Sequence, residues 1–332
     1  MKPPLPYAAL LAFLSLALAA LLAASMAIGP AAAGTFELFN LMARGDADTA
    51  WLIMREVRLP RTLLAALVGG SLGLAGATLQ GFLRNPLADP GVIGISSSAS
   101  LGAVLALYTG ISLLFPLALP LMGIAGAMVC VLLLQGLAGR GGVLSLILAG
   151  VAISSVCAAL MSLALNLSPN PYAAAEIVFW LMGSVTDRSM DHVLLAAPFM
   201  VLGWALLALS ARALDALSLG EEAAASLGVN LQRTRLLVIT GTAVCVGAGT
   251  AVAGGIGFIG LIVPHMLRPF VGHAPSRLLL ASGLGGAVLL VAADIFVRLA
   301  TSPELKLGVL TALVGAPFFL WLILKSRTEL SR

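Results

Sequence analysis

Long stretches of this chain carry no charged side chain, and they alternate with short segments in which charges cluster. Asp, Glu, Lys and Arg are absent from residues 3–36, 62–83, 90–139, 141–175, 192–211, 236–267 and 307–324. Crossing the hydrocarbon core of a bilayer as a helix takes roughly 20 apolar residues. Backbone groups in lipid need internal hydrogen bonds, so runs of this length favour helices. The pattern therefore predicts an all-α, polytopic membrane protein.

Glycine, proline and capping residues divide these stretches into ten predicted spans that form one transmembrane domain. The spans are predicted at residues 5–28, 62–82, 91–109, 114–138, 143–167, 192–211, 235–252, 256–268, 277–298 and 307–325. Asp89 and Pro90 are typical of a helix start, with Asp as N-cap and Pro at the first helical position. An additional short helix near Ala173–Met182 is expected at the membrane surface, with Trp180 at the interface.

The composition agrees with this pattern, and the distribution of charge orients the spans. Of the 332 residues, 60% are hydrophobic and only 10% are charged, with a mean hydropathy of +1.09, whereas soluble domains carry about 25% charged residues. Of the 18 Lys and Arg residues, 11 lie on the side of the termini and 7 on the other side. Cytoplasmic loops are enriched in Lys and Arg. Both termini are therefore predicted to be cytoplasmic, and the net charge of +4 needs no nucleic-acid partner.

The longest polar segment between spans contains a predicted short helix at residues 219–227. Ser218 and Glu221 fit a capping box, in which Ser is the N-cap and Glu the third helical residue. Glu222 complements the helix N-terminus, and Gly228 supplies a C-terminal stop. Most other residues of the helix are small or apolar, namely Leu219, Gly220, Ala223, Ala224 and Leu227. A helix of under three turns is marginal alone, so docking to another protein is favoured over a packed loop helix.

No residue of this chain is predicted to be catalytic or to bind a cofactor. The three lysines, Lys2, Lys306 and Lys325, lie outside any GxxxxGK[ST] motif, which is the phosphate-binding loop of many ATPases. If ATP drives the protein, a separate subunit must bind ATP and Mg. The 3 cysteines lie in apolar runs without metal-type spacing, so no metal site is predicted.

Two other classes of function are weighed against docking and transport. Ser96 and His265 could form an intramembrane protease dyad, but serines in spans more often permit close helix packing. Asp294 is the one acid deep in a span, and Arg298 follows four residues later, which predicts an ion pair on one helix face. Secondary transporters often carry functional acids inside the membrane. A paired Asp294 therefore makes a secondary transporter or channel the weaker alternative.

A polar stripe runs along the predicted span at 143–167. Ser155, Ser162 and Asn166 are separated by seven and four residues, a spacing that places side chains on one face of a helix. The stripe either lines a path through the protein or faces another helix, and the sequence leaves both possibilities open.

Several motifs in chain order resemble those of the iron-chelate/cobalamin permeases of the FecCD type. They are Arg58–Thr62, Asn85–Gly91, Leu148–Ala152, Gly254–Leu261 with Val263–His265, and Gly308–Thr311 with Gly315–Pro317. Together they extend over almost the whole chain, which makes the resemblance specific.

This resemblance implies a ten-helix permease of the bacterial inner membrane that works as a homodimer. Two ATPase subunits and a periplasmic substrate-binding protein would complete the importer, and cargo would pass along the dimer axis. The second to fifth and the seventh to tenth spans would be pseudo-symmetric repeats. The helix at 219–227 would then be the coupling helix that enters a cleft on the ATPase.

The resemblance also implies roles for individual residues outside the coupling helix. The positions that match binding-protein contacts of the B12 permease are Arg58, Arg61 and Arg298, and Lys306 adds charge beside them. The positions that match its cytoplasmic gate are Asn85 and Leu87, with Val143 and Leu144 where that permease has hydroxyl residues. An apolar gate suits a flat hydrophobic chelate better than cobalamin with its many amides. Haem is therefore the favoured cargo, with cobalamin and ferric siderophores as alternatives.

Overall fold

The computed structural model describes residues 6–29, 37–115, 117–139, 141–300 and 305–330. Within these ranges the chain consists of helices joined by turns and short extended segments. The helices are α1 (Tyr7–Ala27), α2 (Glu37–Ala43), α3 (Ala47–Ile53), α4 (Leu59–Phe82), α5 (Ile95–Tyr108), α6 (Ile111–Leu114), α7 (Ala118–Ala138), α8 (Val143–Asn166), α9 (Pro171–Leu181), α10 (Met190–Leu209), α11 (Ala211–Leu217), α12 (Glu221–Ser226), α13 (Leu231–Ala253), α14 (Ile259–Leu267), α15 (Pro275–Ala300) and α16 (Leu307–Leu330). A π-helical turn at Met54–Arg58 joins α3 to α4, and a 3-10 turn at Arg268–Val271 follows α14.

Seven helices in the described part of the chain are long and apolar enough to cross a membrane. They are α1, α4 together with the preceding α3, α7, α8, α10, α13 and α15. The other three predicted spans fall on α5, α14 and α16, whose described apolar parts are shorter. The prediction of an all-α polytopic membrane protein is thereby confirmed.

The bundle has two ends, which we name by residues found there. At the Arg61 end, α4 begins and α1 finishes, because Arg58 contacts the last carbonyls of α1. At the Glu221 end lie α12 and the start of α1, where the Tyr7 hydroxyl donates to the Arg277 carbonyl at 3.1 Å. The charge distribution predicts that the Glu221 end is cytoplasmic.

The third predicted span begins later than the sequence predicts. The carboxylate of Asp89 accepts a hydrogen bond from the Gly91 N–H at 2.9 Å, which closes a turn instead of capping a helix. Residues 83–94 contain turns and no helix, and α5 begins at Ile95 after Gly94, whose φ is +81°. An Asp side chain can satisfy an N–H two residues ahead as well as one in a helix, so the sequence signal was ambiguous.

The segment before α14 is also non-helical, so the predicted span at 256–268 starts too early. Phe258, with a φ of +68°, precedes the first helical residue, Ile259. The start of α14 is nevertheless inside the bundle, because the Gln80 side-chain amide donates to the Gly260 carbonyl at 3.2 Å. Non-helical backbone at membrane depth is tolerated only where protein or a cavity surrounds it.

The short helix expected near Ala173–Met182 is present as α9. Trp180 is 8% exposed and belongs to the interior, whereas Tyr172 at the other end of α9 is 87% exposed. The position of Trp180 at the membrane interface stays a prediction. Trp180 packs inward because α9 lies against α5, with Ile177 of α9 buried beside Val104.

Two sets of four helices pack in the same pattern. In the first set, α4, α5, α7 and α8, and in the second, α13, α14, α15 and α16, each contact has a counterpart. The contacts α4–α15, α4–α14, α5–α7, α5–α8 and α7–α8 correspond to α13–α7, α13–α5, α14–α15, α14–α16 and α15–α16. Since α4 starts at the Arg61 end and α13 at the Glu221 end, the sets are inverted relative to each other. Inverted repeats of this kind are common in transporters.

The matched crossings of α4 with α15 and of α13 with α7 are made by small residues spaced four apart. They are Gly69, Gly73, Ser282 and Gly286 at the first crossing, and Gly247, Ala251, Gly123 and Ala127 at the second. A Cβ on Gly73 would overlap the Ser282 carbonyl oxygen, and one on Gly247 would overlap the Ala127 Cβ. Small residues at this spacing let helix backbones approach closely in a membrane.

Gly73→Ala should therefore lower the thermal stability of the purified protein, because overpacking a close contact costs about 1–3 kcal/mol. Gly136 of α7 provides the matched control, since a Cβ there would meet nothing within 4 Å. Gly136→Ala should keep or slightly raise stability, because alanine is the better helix former. Melting in detergent, followed by size-exclusion chromatography with fluorescence detection, measures both. Equal melting temperatures for the two variants would contradict the close crossing.

Candidate functional site

The predicted docking helix is present as α12, but it begins differently from the prediction. Gly220, with a φ of +108°, is the N-cap and makes no side-chain cap. The Ser218 hydroxyl donates instead to the Asp215 carbonyl at 2.6 Å, at the end of α11. The predicted capping box of Ser218 with Glu221 is therefore wrong. A glycine at positive φ can turn the chain between two short helices, which removes the need for a serine cap.

The surface of α12 is largely open in the single chain. Ala224 is fully buried and anchors the helix, whereas Glu221, Glu222 and the residues from 225 to 228 are exposed. Leu219 and Leu227, which flank the helix, are 68% and 66% exposed. Exposed leucines beside a short helix of small residues are typical of a surface that another protein covers.

A cavity of about 260 Å³ lies between α12 and the turn from α7 to α8. Glu221 lines one side, and Gly139, Gly141 and Val143 line another. Arg235, at the start of α13, donates from Nη1 to the carbonyls of Gly139 and Gly141 at 3.0 and 2.8 Å. The predicted gate residue Val143 and the predicted coupling residue Glu221 therefore line one cavity.

The other predicted gate residues, Asn85 and Leu87, lie in the turn segment after α4. The Asn85 carboxamide oxygen accepts from the Leu87 N–H at 2.9 Å, and both side chains are half-buried. The preceding Arg84 has a φ of +48°, and its Nη1 is 3.9 Å from a Cβ placed on Gly220. The Asn85 turn thus lies next to the start of α12.

The polar stripe of Ser155, Ser162 and Asn166 is exposed along α8. Leu144 at the start of the same helix is also 70% exposed. No described helix of this chain covers that face, so the possibility that the stripe faces another helix of the same chain is not supported. The stripe therefore lines a path, faces lipid or faces another copy of the chain.

The arginines predicted to dock a binding protein are buried at the Arg61 end. Arg58, Arg61 and Arg298 are 3%, 7% and 1% exposed. Arg61 Nε donates to Asp294 Oδ1 at 3.0 Å, and Arg298 Nε donates to Asp294 Oδ2 at 2.9 Å. The predicted ion pair between Asp294 and Arg298 is confirmed, and Arg61 is a further partner. An acid paired with two arginines differs from the unpaired intramembrane acids of many ion-coupled transporters, which disfavours that class.

The same arginines also hold the end of α1. Arg298 Nη1 donates to the carbonyls of Ser25 and Ile28 at 2.9 and 3.0 Å. Arg58 Nη1 donates to those of Met26 and Ala27 at 2.8 and 2.7 Å. The last carbonyls of a helix lack partners within it, and cations are favoured there. In the single chain, Arg58 and Arg298 therefore clamp the end of α1 to the bundle. Of the four predicted docking residues, only Lys306 is not buried.

Sequence reasoning missed three participants in these sites. Arg235 at the Glu221 end and Ser25 at the Arg61 end each form a hydrogen bond with a residue far away in sequence, and Arg84 lies near Gly220. The positive charge of Arg235 at a span boundary was the one available signal, since its acceptors are backbone carbonyls. Among the described residues, no group of three or more His, Cys, Asp or Glu lies together as a metal site would require.

Comparison with known proteins places this arrangement among transport proteins. The model of the FecCD transport family matches residues 16–325. The chain is 41% identical over 282 residues to the Fe(3+) dicitrate transport system permease protein FecD of Escherichia coli, covering 83% of this chain and 86% of the relative. It is 37% identical over 320 residues to the hemin transport system permease protein HmuU of Yersinia pestis, covering 92% and 94%.

Other relatives are named for the transport of other compounds. The cobalamin import system permease protein BtuC of Halobacterium salinarum is 40% identical over 282 residues, which cover 84% of this chain and 75% of the relative. A solved metal-chelate type ABC transporter in an inward-facing conformation superposes with a TM-score of 0.85 at 34% identity, covering 95% of this chain and 98% of that chain.

The clamp at the Arg61 end predicts that variants of Arg298 and of Lys306 differ in stability. Arg298→Gln should lower the melting temperature strongly, because it removes the donors to the Ser25 and Ile28 carbonyls, and each buried group left unsatisfied costs about 1–3 kcal/mol. Lys306→Gln removes a partly exposed charge and should have little effect. Melting curves of both variants in the same detergent test this. A melting temperature for Arg298→Gln equal to that for Lys306→Gln would refute the clamp.

Proposed function

This chain belongs to the FecCD transport family, and we propose that it is the permease subunit of an ATP-driven importer for haem or a closely related iron chelate. Membership makes it an ABC importer permease. The cargo, the subunit composition and the orientation in the bacterial inner membrane are parts of the proposal. ATP and Mg would be bound by two separate ATPase subunits, and this chain would hydrolyse nothing itself.

The observation that carries the proposal is the cavity between α12 and the turn from α7 to α8, which we call the gate turn. Glu221 and Val143 line the same cavity, and the Asn85 turn approaches Gly220 through Arg84. A protein bound to the exposed face of α12 would therefore lie close to both gate segments. This supports coupling of an ATPase to the gate through Ser218–Gly228, with Leu219 and Leu227 as apolar contacts.

A second copy of the chain is proposed to cover the exposed faces of α8 and α16. These helices occupy matching positions in the two repeats, and both have large exposed side chains. Leu313 and Val314 of α16 are 63% and 57% exposed, as is much of the α8 face with Ser155 and Ser162. A path between two copies would then have the polar stripe of α8 in its wall.

A periplasmic binding protein is proposed to dock at the Arg61 end. Because Arg58, Arg61 and Arg298 are engaged with α1 and Asp294, we assign its charged contacts to accessible cations instead. Arg44, Arg55 and the partly exposed Lys306 are such residues at this end. The buried arginines would act indirectly, by fixing the surface on which docking takes place.

Haem is the proposed cargo because the predicted gate residues Val143 and Leu144, at the start of α8, carry neither a hydroxyl nor an amide. Such a surface suits a flat apolar chelate. The relatives carry names that include dicitrate iron, hemin and cobalamin, so family membership alone leaves the cargo open. Cobalamin and ferric siderophores are the alternatives.

Uptake into proteoliposomes tests the cargo. The chain, reconstituted with its cognate ATPase and binding protein, should accumulate haem when ATP is supplied inside, and cobalamin should not accumulate. Cobalamin uptake would overturn the cargo while keeping the importer. Uptake by the chain alone under a proton or sodium gradient would overturn the importer itself.

Coupling through α12 predicts a selective loss of the ATPase. The double variant Leu219→Asp with Leu227→Asp should fold normally, because both side chains are largely exposed, yet it should lose co-purification of the ATPase. Leu52→Asp is a matched control, since Leu52 is 58% exposed on α3 at the Arg61 end. Retained ATPase binding and full transport by the double variant would contradict the coupling assignment.

A further inference from the structure

An apolar groove of about 560 Å³ runs along the outside of the bundle between α1, α4, α10 and α15. Its walls are almost entirely leucine, alanine and glycine, and Ser276 is the one hydroxyl residue that lines it. The indole Nε1 of Trp204 donates to the Ser71 hydroxyl at 2.9 Å, so its polar atom is already satisfied. The groove therefore offers nothing to a polar ligand along its length.

The groove follows the bundle over most of its depth. Its lining starts at Leu63 on α4, near the Arg61 end, and reaches Ser276 on α15, near the Glu221 end. Because α4 and α15 are antiparallel and Gly73 lies against Ser282, Leu63 and Ser276 are about 24 Å apart along the bundle at 1.5 Å per residue. The hydrocarbon core of a bilayer is about 30 Å thick, so the groove is long enough for an acyl chain that enters from the Glu221 end.

Exposed positive charge lies at the mouth of the groove nearest the Glu221 end, whereas Arg61 at the opposite end is buried against Asp294. Ala211 and Ser276 line the first mouth, and each is followed by an exposed arginine, Arg212 and Arg277. The guanidinium of Arg277 lies 5.6 Å from the centroid of the Tyr7 ring, which orients it beside the start of α1. This mouth also holds one carboxylate, that of Asp215, whose Oδ1 accepts from the Ser276 N–H at 2.9 Å.

We propose that this groove holds one acyl chain of an anionic phospholipid, whose phosphate binds Arg212 and Arg277. The apolar walls exclude a polar ligand, the length fits a chain that enters from one surface, and the two exposed arginines favour a negative headgroup at the mouth. A helix, which is about 10–12 Å across with its side chains, would have to displace α1. With the Glu221 end cytoplasmic, as proposed above, this lipid would belong to the cytoplasmic leaflet; binding in the groove does not depend on that orientation.

Glycine at the floor of the groove provides a variant that blocks the chain without disturbing the fold. A Cβ on Gly283 would make ordinary contacts at 3.8 Å with the Leu74 Cβ and at 3.9 Å with the Gly70 carbonyl. Gly283→Leu should therefore fill the groove while α4 and α15 keep their packing. Gly136→Leu adds the same side chain where a Cβ meets nothing within 4 Å, outside the groove.

Native mass spectrometry of the full chain, titrated with dioleoylphosphatidylglycerol or dioleoylphosphatidylcholine, tests the proposal. The unmodified chain and Gly136→Leu should retain one phosphatidylglycerol preferentially. Arg212→Gln with Arg277→Gln should weaken phosphatidylglycerol binding roughly 30-fold, since each basic residue near an anionic surface contributes about fivefold. Gly283→Leu should abolish the site for both lipids, and inorganic phosphate should not compete.

Three outcomes would overturn the proposal. Equal retention of both lipids by the unmodified chain would remove the headgroup contact. Unchanged phosphatidylglycerol binding by Gly283→Leu would place the lipid elsewhere. A change in oligomeric state on Gly283→Leu, measured by light scattering, would make the groove an interface between copies. Failure of transport would affect none of these readouts, because they use the purified chain alone.

Discussion

One carboxylate, that of Asp294, allows two arginines to be buried at the Arg61 end, and the arrangement of three helices depends on it. A charged side chain within a membrane protein needs a partner because its desolvation is unfavourable. Asp294 provides that partner for Arg61 on α4 and for Arg298 on α15. Once held there, Arg298 donates to carbonyls at the end of α1, and Arg58 completes the set. The helix α1, much of which is exposed, is thus joined to the bundle by polar contacts at its end.

Close helix packing supplies the rest of the frame, and it is organised by the repeat. Both central crossings use small residues spaced four apart, so α4 and α13 each lie directly against a helix of the other set. The short helices α5 and α14 each follow a residue at positive φ, Gly94 and Phe258, which meet Gly150 and Gly315. Non-helical backbone thereby enters the bundle from both ends, where neighbouring glycines make room for it.

The sequence predicted the spans well because an uncharged run of about 20 residues has few other uses. Local chemistry was less decisive, as at Asp89 and Ser218, where a side chain that can cap a helix instead closes a turn or bonds to the preceding helix. The pair of Arg298 with Asp294 could be predicted from their spacing, but the roles of Arg58 and Arg61 could not, since an arginine at a helix end is usually exposed. Its partner Asp294 is 233 residues from Arg61, and only the fold brings them together.

The inverted repeats place an arginine near the start of α4 and of α13, yet the acceptors differ. Arg61 is paired with a buried carboxylate, whereas Arg235 donates to two backbone carbonyls beside a cavity and is partly exposed. Hydrogen bonds between two charged groups are stronger than those with one charged partner. We therefore expect the helices to be held more firmly at the Arg61 end than at the Glu221 end. A force applied at α12 would reach the more weakly held end first, where deformation costs less.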